Sequence, residues 1–168
     1  MKRNDNEEFA AFVRETATAL HRAALLLTGD HHQAEDLTQA TYVRVLASWR
    51  RTSAAESPLA YARTTMLNTF LSHRRLRRSS EAPVADLAVD QPVADGDPDT
   101  RIDLLVALAS LAPLDRAVVV LRYWEDRSVA DTAVDLQLTE VNVRARSRRA
   151  LQRLRPLLDR SDLTERTP

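Results

Sequence analysis

Cysteine is absent from the 168 residues, which excludes disulfides and thiolate metal sites and fits a reducing cytosol. Glycine occurs only twice, at Gly29 and Gly96. A strand-rich fold with tight hairpins, or a glycine-rich phosphate loop, is therefore not expected. No apolar run approaches the roughly 20 residues of a membrane span. The opening MKRNDNEEFA has no apolar stretch behind it and does not read as a signal peptide. Net charge is lacking too, because 24 basic residues balance 24 acidic ones. That balance hides a division along the chain. Residues 1–78 carry 12 basic and 8 acidic residues, 79–100 carry 6 acids and no base, and 101–168 carry 12 bases and 10 acids. Two mildly basic blocks flank an acidic connector, and such asymmetry bears on nucleic-acid binding more than the mean does.

Apolar residues make up 44% of the chain, enough for real cores, and their spacing is helical in both basic blocks. In the first block, Phe9, Phe12, Val13, Leu20, Ala24 and Leu27 form one stripe. Gly29 suits a helix C-cap, and Asp30 with Gln33 a capping pair for a second helix. That helix carries Ala34, Leu37, Thr41, Val45 and Leu46, with Tyr42 and Trp49 alongside. RRTSAAESP reads as a loop, after which Ser57 and Pro58 open a third helix with Leu59, Ala62, Met66, Leu67, Phe70 and Leu71 inward and a basic end at Arg74, Arg75, Arg77 and Arg78. Residues 79–100 contain three prolines, Gly96 and six acids without a sustained period, the composition of an extended flexible linker. In the second block, Ile102, Leu105, Val106 and Ala109 mark one helix, and Pro113 opens another with Leu114, Val118 and Leu121 inside. Ser128 and Asp131 cap a short third helix. Thr139 caps a fourth, expected to stop near Arg155 because Pro156 cannot continue it. About three residues separate the last two helices, which is helix-turn-helix spacing.

The fourth helix concentrates the chemistry. Val143, Ala150, Leu151 and Leu154 can form its buried stripe, leaving Asn142, Arg144, Arg146, Arg148 and Arg149 outside, with no acid to balance them. A helix fits the major groove, where Arg pairs with guanine and Asn with adenine, while sideways arginines hold phosphates. Ala133 on the preceding helix is small enough for close helix approach. A solvated charged face is the bland alternative. Elsewhere the signals are weaker. Asp36 and Gln39 share a helical face but are ordinary surface residues on spacing alone. Trp49 and Tyr61 suit either base stacking or core packing. Arg74 and Arg75 suit phosphate contact or compensation of the helix dipole. His31 and His32 diverge by about 100° on a helix and lack a third ligand, so no metal site is expected. No nucleophile–base pairing marks an enzyme, and no cofactor is expected.

The motifs Leu27-Thr28-Gly29-Asp30, Ala34-Glu35-Asp36-Leu37-Thr38-Gln39 and Trp49, then Leu121-Arg122-Tyr123-Trp124, Asp131-Thr132-Ala133, Val143-Arg144-Ala145-Arg146, Arg149-Ala150-Leu151 and Leu154-Arg155, run in order along the chain. In that order they resemble the extracytoplasmic-function (ECF) sigma factors over nearly the whole length. The resemblance implies an all-α chain of two small domains. One, at 5–78, is a three-helix domain that docks on core RNA polymerase through Asp36, Leu37 and Gln39 and meets the −10 element through Trp49, Tyr61, Asn68, Arg74 and Arg75. The other, at 101–158, is a helix-turn-helix domain that meets the −35 element through Thr139, Asn142, Arg144, Arg146, Arg148 and Arg149. Promoter DNA and core polymerase are the implied partners, an anti-sigma factor a further one, and the cytoplasm the implied place. Gln137 stands where the family often has glycine, and Ala145 where serine is frequent. The rival reading is a helix-turn-helix regulator that binds duplex DNA without being a polymerase subunit.

Overall fold

A computed structural model describes residues 3–79 and 98–164. Every regular element among them is helical: α1 Arg3–Thr28, α2 His31–Ala47, α3 Trp49–Ser53, α4 Pro58–Ser79, α5 Pro98–Ala109, α6 Pro113–Val119, α7 Val129–Leu136 and α8 Glu140–Thr164. A π-helical turn, Val120–Trp124, extends α6. Of the acidic connector, Ser79 belongs to α4 and residues 98–100 to α5, while 80–97 lie outside the described residues.

Local chemistry explains most of the boundaries. Asp30 Oδ1 accepts from the Gln33 amide at 2.8 Å, Ser57 Oγ from Ala60 at 3.2 Å, Ser128 Oγ from Asp131 at 2.9 Å and Thr139 Oγ1 from Asn142 at 3.2 Å. Each satisfies a backbone donor that a helix start leaves unpaired. Gly29 ends α1 at φ +76°, where its amide bonds the Leu25 carbonyl at 2.7 Å. Buried threonines return their hydroxyls to the carbonyl four residues back, as Thr16, Thr41 and Thr69 do at 2.7 Å. These three add no unpaired polar group to the core, whereas the buried Thr132 hydroxyl has no partner.

Three of the sequence expectations change. Residues 50–53, read as the start of a loop, belong with Trp49 to the short helix α3. Along α5, Val106 is exposed, while Ala107 and Leu108 are buried. That helix is apolar on several faces, so its period does not single out the inner one. Finally, α8 does not stop before Pro156, which lies inside it. The ring removes one backbone donor, and the exposed neighbours Gln152, Arg153, Arg155 and Leu157 leave water access to the carbonyl that loses its partner.

In the N-terminal block, α1, α2 and α4 pack around Leu20, Leu27, Leu37, Val45, Met66 and Phe70. In the C-terminal block, α5, α6 and α7 pack on α8 around Leu108, Val118, Leu121, Leu136, Val143 and Leu154. The blocks also pack on each other. Residues 23–30 are buried without a break, so the end of α1 has no solvent face. One side of it meets α2 and α4, and the other meets α5, α6 and the π turn. Arg116 of α6 is buried at this junction and donates to the Leu27 carbonyl at 2.8 Å. Its surroundings pull its pKa down to about 10, first by desolvation and then by the nearby Arg74 charge, so it stays protonated at neutral pH. On α4, Arg63 Nε lies 2.7 Å from Glu125 Oε2, whose side chain is 5% exposed. The contact is ionic, since the Arg63 N–H is not aligned for a hydrogen bond. Burial pushes the Glu125 carboxyl up, against the opposing pull of Arg63 and Arg127. Thr64 Oγ1 donates to Asp135 Oδ1 at 3.3 Å, and Asp135 is held in turn by Arg127 at 3.1 Å.

A buried guanidinium that loses its partner costs more than one replaced by an apolar group of similar length. Arg116→Ala is expected to destabilise the chain by about 1.5–3 kcal/mol, and Arg116→Met by much less, as read by urea denaturation of both variants.

Candidate nucleic-acid interface

The last two helices build one candidate surface. Between α7 and α8 the turn is Gln137-Leu138-Thr139. Gln137 takes the left-handed conformation at φ 54°, ψ 44°, the geometry glycine supplies most easily. Leu138 N bonds the Ala133 carbonyl at 2.8 Å, and Ala133 is buried against the turn. The short cap therefore forms without glycine. Thr139 spends its hydroxyl on capping α8.

In α8 the buried positions are Val143, Ser147, Ala150 and Leu154. Leu151, read as part of the stripe, is 42% exposed instead, and Ser147 takes the inner place. At 100° per residue, Val141, Ala145, Arg148, Arg149 and Gln152 lie within about 50° of the direction opposite that stripe. Asn142, Arg144 and Arg146 project sideways. Two of the arginines are also balanced by acids, contrary to the sequence reading. Arg144 pairs with Glu140 at 2.7 Å, one helical turn back, and Arg146 pairs with Asp115 of α6 at 2.6 Å. Among the described residues, Arg148 and Arg149 have no ion-pair partner. Arg144 and Arg148 also rim a 710 Å³ groove beside α8, floored by Tyr123 and Leu151 and edged by Arg122 and Arg155.

A second surface lies on the N-terminal block. Tyr61, Asn68 and Arg75 stand seven residues apart and so follow one line along α4. Asn68 and Arg75 are exposed. Tyr61 is half-buried, and its hydroxyl donates to Ser48 Oγ at 3.3 Å. Arg74 leaves that line. It stacks over Phe70 at 5.6 Å and lines a cleft with Asp36, Gln33 and His73. Trp49 is only 6% exposed and packs edge-on against Phe9 at 5.1 Å and tilted against Phe12 at 5.3 Å. Of its two readings the structure therefore takes core packing. On α2, Asp36 and Gln39 are exposed on one face, whereas Leu37 is 3% exposed and belongs to the core, so it offers no contact surface. Val43 was missed by the sequence reading. It is 67% exposed and stands seven residues after Asp36, on the same face. That spacing was the available signal. The side chains of Arg77 and Arg78 lie outside the described residues.

The pairing of Arg146 with Asp115 ties α8 to α6. Both groups are mostly shielded. A double-mutant cycle on thermal stability with Arg146→Ala and Asp115→Ala is expected to give a coupling of about 1 kcal/mol. A coupling near zero would show that the pair does not hold in solution.

Comparison with known proteins agrees with this arrangement. Residues 12–80 match the family described as Sigma-70 region 2, and residues 107–156 match Sigma-70, region 4. An RNA polymerase sigma-E factor of Streptomyces avermitilis is 37% identical over 95% of this chain and 89% of its own length. The ECF RNA polymerase sigma factor SigL of Mycobacterium tuberculosis is 31% identical over 92% of this chain and 90% of its own. Among solved structures, the sigma factor RpoE of Bartonella quintana, crystallised with the anti-sigma factor NepR, superposes with a TM-score of 0.75. That match is 24% identical and covers 91% of this chain and 98% of that one, a likeness of fold. Identity of this level along nearly the full length, with both regions in order, places the chain in the extracytoplasmic-function sigma factors, polymerase subunits that direct promoter-specific initiation of transcription.

Proposed function

We propose a division of labour between the two blocks. The domain at 5–78 docks on core polymerase through the face of α2 that carries Asp36 and Gln39, with Val43 adding apolar area beside them. The Tyr61–Asn68–Arg75 line of α4 follows the opened strand at the −10 element, where Asn68 can bond a base edge and Arg75 a phosphate. The domain at 101–158 enters the major groove at the −35 element with α8. The observation that supports this last role is the outward face of α8, where Arg148 and Arg149 stand without acidic partners. Arg144 and Arg146, already paired within the domain, serve at the flanks, and Asn142 and Thr139 lie beside the groove entrance. The protein works as a specificity subunit in the cytoplasm rather than as an enzyme. No helix among the described residues is long and apolar enough to cross a membrane.

Reading both elements requires the blocks to part. Their names place the two elements about 25 base pairs apart, or about 85 Å of B-form DNA at 3.4 Å per step. A compact chain of this length has a radius of gyration of about 15 Å. The packed arrangement cannot reach across that interval. The junction around Arg116 therefore belongs to the chain before it is engaged on a promoter.

An anti-sigma factor is a further partner. The groove beside α8 combines an apolar floor with a rim of Arg122, Arg144, Arg148 and Arg155, which suits an acidic amphipathic segment. The Bartonella relative was crystallised with such a factor.

The docking role is tested on α2. Asp36→Ala combined with Gln39→Ala should weaken binding to core polymerase at least tenfold while changing stability by no more than about 0.5 kcal/mol, since both residues are exposed. Unchanged affinity in a folded double variant would move the docking face elsewhere.

A further inference from the structure

We propose that α8 recognises thymine in the −35 element through an apolar ridge made by Val141 and Ala145, and that this ridge, not Arg144 or Arg146, sets base preference at the leading end of the helix. The inference rests on the reading of α8 as the −35 helix and adds the chemistry of what it selects.

Four observations carry it. The buried stripe of Val143, Ser147, Ala150 and Leu154 fixes which way α8 faces. In the first two turns, only Val141 and Ala145 then point straight outward. Val141 is 72% exposed, on a helix whose other exposed residues are mostly polar or charged. A β-branched residue is a weak helix former, so neither propensity nor the core accounts for valine here. The two arginines nearest to this ridge are drawn away from it. Arg146 is held by Asp115 in a mostly shielded pair, and Arg144 leans back to Glu140 in an exposed one. Further along the same outward face, Arg148, Arg149 and Gln152 supply the polar and cationic contacts that hold a helix in a groove.

The N-terminal part of a recognition helix is the part that meets base edges. In the major groove thymine alone presents a methyl group, and small apolar side chains are its usual partners. Val141 and Ala145 lie one helical turn apart, about 6 Å along the axis, so they address neighbouring base steps. Burial of one methyl-sized group corresponds to about a fourfold change in affinity.

The test uses holoenzyme assembled from core polymerase and the full chain. A preferred −35 sequence is first selected from a randomised library, and each thymine in it is then replaced singly by deoxyuridine, which lacks only the methyl. Wild-type holoenzyme should lose about fourfold in affinity at one or two adjacent positions. Val141→Ser should erase the thymine–deoxyuridine difference at one of them and leave the salt dependence unchanged, because no phosphate contact is lost. Val141→Ala, a better helix former, should reduce the difference and so guards against a folding artefact. Equal binding of thymine and deoxyuridine promoters by wild type overturns the proposal. So does a selected sequence without thymine, or full discrimination retained by Val141→Ser. If the holoenzyme selects no −35 sequence at all, the reading of α8 as the −35 helix fails, and the ridge fails with it. That result is distinct from selection without methyl dependence.

Discussion

A buried guanidinium sets the main constraint on this molecule. Arg116 sits at the meeting of the two blocks, still protonated at neutral pH with its pKa pulled down to about 10, and it donates to the last-turn carbonyl of Leu27. That carbonyl is one of those a helix end leaves without an internal partner. The bond thus gives that carbonyl a partner and the guanidinium one acceptor, while Arg116 Nε stays buried without one. It also requires the end of α1 to be enclosed from both sides, which is why residues 23–30 are buried without interruption. Gly29 is part of the same device. Its left-handed turn ends α1 where Ala109 and Arg116 approach, 3.8 and 3.9 Å from where a Cβ would stand. A Cβ would make only ordinary contacts there, so the positive φ, rather than crowding at that atom, calls for glycine.

Around this centre the contacts between blocks become polar and peripheral. Arg63 with Glu125, and Thr64 with Asp135, are long-range pairs at the edge of the junction. The Glu125 carboxylate is shielded there, so parting the blocks returns its hydration and offsets the loss of its pairing with Arg63. The structure therefore joins two well-packed domains through a junction whose rim is hydrophilic. A subunit that must lie compact when unbound and extended along a promoter needs this combination. The face of α8 proposed to meet DNA points away from its own buried stripe, and α8 packs on α5, α6 and α7 of its own block.

Much of this was legible in the sequence where the determining chemistry is local. The caps at Asp30, Ser57, Ser128 and Thr139 follow from side chains that bond an amide three residues on. The inner faces of α1, α2 and α4 follow from apolar spacing, and the helix-turn-helix from a turn of three residues. What escaped depends on distant partners. Leu25 and Leu26 are buried because a second block covers their side of α1, which no period within α1 reveals. Asp115 neutralises Arg146 across 31 positions, and Glu125 meets Arg63 across 62, with no signal in either neighbourhood. Glu140 with Arg144 differs, since its spacing of four was a visible pairing signal. Trp49 had two sound readings, and only the placement of Phe9 and Phe12 decides for the core. The sideways placement of Arg144 and Arg146 became visible once Ser147, a polar residue, proved to be the inner one.

The central claim is that the packed chain is the unengaged form of a promoter-reading subunit and must open to work. Because the sequence has no cysteine, a tether can be placed at one site only. Thr64→Cys and Asp135→Cys, on opposite sides of the junction, can be bridged by a short cleavable bis-thiol reagent and the product assembled with core polymerase. The decisive measurement is promoter-specific transcription before and after the bridge is cut. The account predicts little transcription from the bridged protein and recovery to the level of the unbridged double variant on cleavage. Full promoter-specific transcription with the bridge intact would contradict it.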